Sequence, residues 1–139
     1  MPPLDKPSIG APRTEADLIA LAARVQANAY AKYSDYPVGA ALEDDRGRVF
    51  LGVNVENISF GGTLCAERSA LAAMITAGSR QWHRIAVVTR DGNTPCGICR
   101  QLLAEFAAPD AVVFCTNGEG KSQTYRFWDL LPHAFDAEL

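Results

Sequence analysis

The sequence predicts an α/β chain of three layers: a mixed five-stranded sheet, helices on both of its faces, and a last strand that runs antiparallel to its neighbour. Three observations carry this. Strand, helix and strand patterns follow one another over residues 85–89, 97–108 and 111–116, and that order requires a parallel pair with a crossover. The turn cluster Asp44-Asp45-Arg46-Gly47 separates two short apolar runs and closes an earlier hairpin. The connection from Thr116 to Ser122 is too short for a crossover, so the final strand turns back on its predecessor.

Taken in order, residues 1–13 carry four prolines and little apolar periodicity, and are expected to be a flexible N-terminal arm. The remaining residues, 14–139, are expected to be one domain, since 139 residues suffice for one core and not for two. Thr14 is a good N-cap, with Glu15 and Asp17 in the first turn, and Leu18, Leu21, Ala22, Val25 and Ala29 follow at helical spacing. This predicts a helix over about 14–32, ended by Tyr36-Pro37. Residues 38–42 form a first strand and 48–55 a second, with Val49, Leu51, Val53 and Val55 on one face. Period two then puts Asn54 and Glu56 together on the other face. The Gly61-Gly62 loop precedes a helix over 65–77, with Gly78 as its C′ residue. The helix over 97–108 is expected to stop at Pro109, and Leu130-Leu131-Pro132 to form a short helical turn.

The chemistry is concentrated in two segments, Cys65-Ala66-Glu67-Arg68 and Pro95-Cys96-Gly97-Ile98-Cys99-Arg100-Gln101, each at the start of a helical pattern. The positive end of a helix dipole favours thiolate over thiol, so Cys65, Cys96 and Cys99 are three candidate zinc ligands. Three protein ligands leave the fourth tetrahedral position to water, the layout of a catalytic zinc. Glu67 then stands beside that water as general acid and base. Three thiolates overload the metal with negative charge. Arg68, three residues after Cys65 on the adjoining helical surface, is the candidate to offset it by donating to ligand sulfurs.

Composition excludes other classes. The formal net charge of -3 offers no basic footprint for a nucleic acid. Neither an apolar run long enough to span a bilayer nor a signal-peptide pattern is visible, so the expected location is the cytoplasm, with no membrane partner. In that reducing compartment four cysteines point to metal or catalysis rather than disulfides.

Cys-x-Glu followed by Pro-Cys-x-x-Cys resembles the three-cysteine form of the zinc deaminase signature. The segments 33–42, 52–57 and 130–135, in family order with the two zinc motifs, resemble the small cytidine deaminases over almost all of the chain after residue 14. That resemblance implies one zinc ion per chain and hydrolytic deamination of cytidine and deoxycytidine to uridine and deoxyuridine, in pyrimidine salvage. It implies that Asn54 and Glu56 bind the ribose, that Tyr36 forms an aromatic wall against the pyrimidine, and that Ala66 and Glu67 read its polar edge. It also implies a homotetramer in which Phe60 and Phe135 reach a neighbour's pocket. Two positions depart from the family: Tyr36 stands where phenylalanine is usual, and Phe60 where tyrosine is usual.

Other readings of the same residues stay open at this point. Cys96 and Cys99 alone suit a redox dithiol, and Cys115 or a histidine as fourth ligand would make a structural zinc. The lone glutamate two residues after Cys65 has no purpose in either. A modified nucleoside or a base within nucleic acid would keep the chemistry and change the substrate. Against a polymer stands the antiparallel last strand, because polymer-acting relatives generally place a helix before it. Trp82 and Trp128 are expected in packing, His83 and His133 at the surface or an interface, and Arg100 in a surface or interface ion pair.

Overall fold

The computed structural model describes residues 13–136. Its elements are α1 (Glu15–Gln26), β1 (Gly39–Asp44), β2 (Val49–Val53), α2 (Ala66–Thr76), β3 (Trp82–Val88), α3 (Gly97–Ala104), β4 (Ala107–Thr116) and β5 (Ser122–Arg126), with single 3-10 turns at Phe60–Gly62 and Phe127–Leu130. The sheet order is β2-β1-β3-β4-β5. Only β3 and β4 are parallel; β5 runs antiparallel to β4, as its short connection requires.

Alternation along the central strands divides the core into two layers. Ala41, Ala86, Val88 and Phe114 pack with Leu18 and Ala22 of α1. The residues between them, Ala40, Leu42, Ile85, Val87, Val113 and Cys115, pack with Ala66, Leu71 and Met74 of α2 and Leu103 of α3. Helices thus cover both faces, and Trp82 and Phe127, both fully buried, fill the α3 side edge to face.

Several boundaries differ from the sequence expectation: β3 begins at Trp82 rather than 85, β2 ends at Val53 rather than 55, and the last helical turn spans Phe127–Leu130 rather than 130–132. Helix α1 stops at Gln26 rather than near 32, because Tyr30 is drawn into a backbone bridge with Val55 and the Gln26 amide turns to the carbonyls of Pro37 and Val88. Helix α3 stops at Ala104, four residues early, where the Trp82 indole donates to the Leu103 carbonyl. Pro109 therefore lies inside β4, in the register break between the pairs Trp82–Ala107 and Arg84–Val112, one of the places a strand tolerates proline. Of the predicted arm, residues 1–12 fall outside the described residues. Arg13 donates to the Gly47 carbonyl and accepts from Arg84, which also pairs with Glu43 across the β1–β3 ladder.

One close approach sets the site. A methyl group on Gly52 would lie 2.3 Å from the Ala66 carbonyl oxygen and 2.4 Å from the Ala70 nitrogen, so glycine alone lets β2 touch the first turn of α2. Gly52→Ala is expected to destabilise the fold by about 1–3 kcal/mol; an unchanged denaturation midpoint would show that the two elements can separate freely.

Candidate active site

Both helices that border the cysteine cluster are preceded by a cysteine at the N-cap. Cys65 is the N-cap residue of α2 and Cys96 that of α3, while Cys99 sits in the first turn of α3 and is buried. The strand β2 delivers the polar pair. Beyond Val53 the chain is stitched between Tyr30 and Leu64 by backbone hydrogen bonds of 2.8–3.0 Å, which hold Asn54 and Glu56 beside Cys65. The result lies past the carboxyl end of β3, where open α/β sheets characteristically bind ligands.

The sulfurs of Cys65, Cys96 and Cys99 lie within 4.8 Å of one another. The Cys65–Cys96 separation is 3.9 Å and the Cys96–Cys99 separation 3.5 Å. Tetrahedral zinc with ordinary zinc–sulfur bonds needs sulfurs about 3.8 Å apart, so the donor set fits one zinc ion. Among the described residues neither Cys115 nor a histidine joins the cluster. Cys115 is a buried core thiol, pushed up to about 12 chiefly by burial. His83 contacts Gln81, and His133 borders a separate groove near the C-terminal segment.

Electrostatics follow the geometry. The Cys65 thiol is pulled down to about 5, first by the neighbouring Cys99 and then by Arg68 and Cys96, against the opposing effect of burial. Cys99 is pushed the opposite way by the neighbouring Cys65 and by burial. Glu67 is 5% exposed, and burial pushes its carboxyl up; the Cys99 sulfur lies 3.6 Å from its Oε2. Arg68 donates from Nη2 to the Thr63 carbonyl at 2.8 Å and approaches the Cys65 sulfur at 3.8 Å.

A cleft of about 460 Å³ opens onto these groups. Tyr36, Asn54, Glu56, Ala66 and Glu67 all line it together with Cys65 and Cys96. Asn54 accepts from the Val38 amide and donates to the Tyr36 carbonyl, both at 2.9 Å. Glu56 accepts from the Tyr33 and Ser34 amides and from the Ser34 hydroxyl, contacts that hold its carboxyl below the usual range, the hydroxyl contributing most. Phe60 and Phe135 do not reach this cleft. They are 72% and 79% exposed, Phe60 edge-on to Tyr33 and Phe135 in the C-terminal groove.

The family profile described as the cytidine and deoxycytidylate deaminase zinc-binding region matches residues 12–116, a span that includes both cysteine motifs. The chain belongs to this deaminase family. The cytidine deaminase of Halalkalibacterium halodurans is 44% identical over 87% of this chain and 93% of its own length. That of Sporosarcina psychrophila is 40% identical over 87% and 90%. The crystal structure of cytidine deaminase from Burkholderia pseudomallei superposes with a TM-score of 0.85 at 43% identity, covering 88% of this chain and all of that one. The mixed five-stranded sheet is the family fold, and zinc, one ion per chain, is its cofactor.

Several contributors escaped the sequence reading. Thr89, Asn93 and Thr94 line the cleft from the loop after β3, and Ser34 holds Glu56. Their signal was positional: they follow a parallel strand at the edge where ligands bind. Arg100 is not in an ion pair among the described residues. It donates to the carbonyls of Pro95 and Leu130 at 2.7 and 2.8 Å and to the Thr94 hydroxyl at 2.6 Å, bracing the turn that presents Cys96.

Proposed function

We propose that this chain hydrolyses cytidine and deoxycytidine to uridine and deoxyuridine, releasing ammonia, as a step of pyrimidine salvage. The observation that carries the reading is a buried carboxyl, Glu67, beside three gathered sulfurs at the base of a nucleoside-sized cleft. Cys65, Cys96 and Cys99 hold the zinc. When bound, zinc is a Lewis acid that makes water a nucleophile near neutral pH. Glu67 handles the protons: its carboxylate takes one from the attacking water and gives it to the ring N3, then takes the second from the new C4 hydroxyl and gives it to the amine, so that ammonia leaves as the C4 carbonyl forms. Burial raises the Glu67 pKa, which suits a group that must accept a proton and pass it on.

The remaining roles are positional. Asn54 and Glu56 bind the ribose hydroxyls, using the hydrogen-bonding capacity their contacts to the 33–38 segment leave over. Tyr36 walls the pyrimidine, and Ala66 presents backbone to its polar edge. Arg68 offsets the negative charge of the three thiolates from Cys65. Arg68→Gln should keep zinc and lower turnover roughly tenfold, the scale on which partners around metal ligands act; full activity would remove this role.

Residues 14–139 act as one catalytic domain. The substrate is a free nucleoside, which the net charge of -3 and the direct β4–β5 connection favour over a base in a polymer. No helix among the described residues is long and apolar enough to cross a membrane. Four free cysteines suit the cytoplasm. The chain works as a homotetramer: Ile58, Phe60, Ile98 and Phe135 are each at least 66% exposed, apolar surface that neighbouring copies cover while Phe60 and Phe135 close adjacent pockets. Incubation with cytidine, deoxycytidine and a cytosine-containing single-stranded oligonucleotide tests the substrate class. Ammonia should appear from the two nucleosides alone; release from the oligonucleotide alone would overturn the assignment.

A further inference from the structure

Two of the cleft's walls come from distant parts of the chain and are tied together outside it. Tyr36 and Val38 belong to one wall, and Thr89, Asn93 and Thr94 to the other. Beyond the Tyr36 ring, its hydroxyl donates to Asp91 Oδ1. Asp91 is itself held. The Thr89 hydroxyl donates to the same oxygen at 3.2 Å and accepts from the Gly92 and Asn93 amides at 2.8 and 3.1 Å. Lys121 Nζ donates to the Asp91 carbonyl at 2.7 Å. On the ring's face the Arg90 guanidinium lies 4.8 Å from the centroid and donates to the Asp35 carbonyl at 3.2 Å. Phenylalanine at position 36 would keep the ring and lose the hydroxyl that makes the tie to Asp91.

We propose that Asp91 is a positioning residue for the pyrimidine wall: through the Tyr36 hydroxyl it locks the ring and the 89–94 loop together before substrate arrives. This rests on the reading above in which Tyr36 meets the pyrimidine. A phenol donating to a carboxylate makes a charge-assisted hydrogen bond, stronger than a neutral one. A wall held in place in the free protein spares the ordering of a ring and a loop on binding. The wall touches ground state and transition state alike, so its loss weakens binding uniformly and raises KM without changing kcat.

Steady-state kinetics on cytidine with the native chain, Asp91→Ala, Asp91→Asn, Tyr36→Phe and the Tyr36→Phe/Asp91→Ala double variant test the tie. Asp91→Ala is expected to raise KM about five- to tenfold with kcat within about twofold of native. Asp91→Asn, whose amide oxygen still accepts, should recover most of that loss. Asp91→Ala should add nothing once Tyr36→Phe is present, the mark of two groups acting as one. An unchanged KM in Asp91→Ala, a fall in kcat equal to the rise in KM, or equal effects in both backgrounds would overturn the proposal. A native chain that leaves cytidine untouched would sink the functional reading instead. The tie is then read by ultraviolet titration of the four tyrosines. Burial and Asp91 together raise the Tyr36 phenol, so Asp91→Ala should lower one titration; an unchanged curve would overturn the tie itself.

Discussion

Glu67→Gln should reduce cytidine deamination by about 10²- to 10⁴-fold while the chain keeps one zinc ion. Glutamine has nearly the same shape, so the packing around this 5% exposed side chain survives. What disappears is the ability to take a proton at one point of the reaction and return it at another. The neutral amide removes a buried negative charge beside the sulfur cluster, which makes metal loss an unexpected result. Turnover and zinc content measured on one preparation separate the two effects. Residual activity within tenfold of native would show that the proton travels by another route.

Cys99→Ala should empty the metal centre. Cys99 is fully buried with its sulfur 3.5 Å from that of Cys96, so no exposed group can swing in to replace it. Two sulfurs remain, and zinc per chain is expected to fall from one towards zero, with turnover falling to background. Thermal stability should fall as well, because binding energy at a metal site is also folding energy. The fourth cysteine is the control. Cys115 lies in β4 outside the cluster, so Cys115→Ala should retain zinc and turnover despite a modest packing cost of about 1 kcal/mol. Equal zinc loss from both variants would mean that the metal is held by a different set of thiols.

The contrast between those two cysteines was legible in the sequence, and its basis was local. A cysteine at a helix start beside Glu67 or in Cys-x-x-Cys announces a ligand, whereas Cys115 sits in the apolar run Val112-Val113-Phe114. The hairpin was legible for the same reason: Asp44 accepts from the Arg46 and Arg48 amides and from the Arg48 guanidinium, and Gly47 takes a positive φ of 77°. The pairing of Asn54 with Glu56 followed from period two, and both line the cleft.

What stayed hidden depends on partners far along the chain. Nothing near Asn28 says that Tyr30 will bridge to Val55, so the helical spacing through Ala29 was extended past the true end of α1. Pro109 looked like a helix stop because proline is tolerated in a strand only at special places, and the register break that admits it involves Trp82 and Arg84 of another strand. Within the described residues Arg100 makes no surface ion pair, because its partners there are two carbonyls and a hydroxyl, groups every sequence contains and none advertises. Asp91 lies in the loop after β3, and nothing beside it in the chain advertises its partner. Its link to Tyr36 spans 55 positions.

The most direct test follows the ultraviolet absorbance of cytidine incubated with the zinc-loaded chain, alongside Glu67→Ala carrying the same zinc content. Rapid loss of the cytidine band with the native chain, matched by ammonia, and none with the variant is the predicted result. A native chain that binds its zinc and leaves cytidine unchanged, or a variant that keeps pace with it, would contradict the assignment of Glu67 and its three-sulfur zinc centre to cytidine deamination.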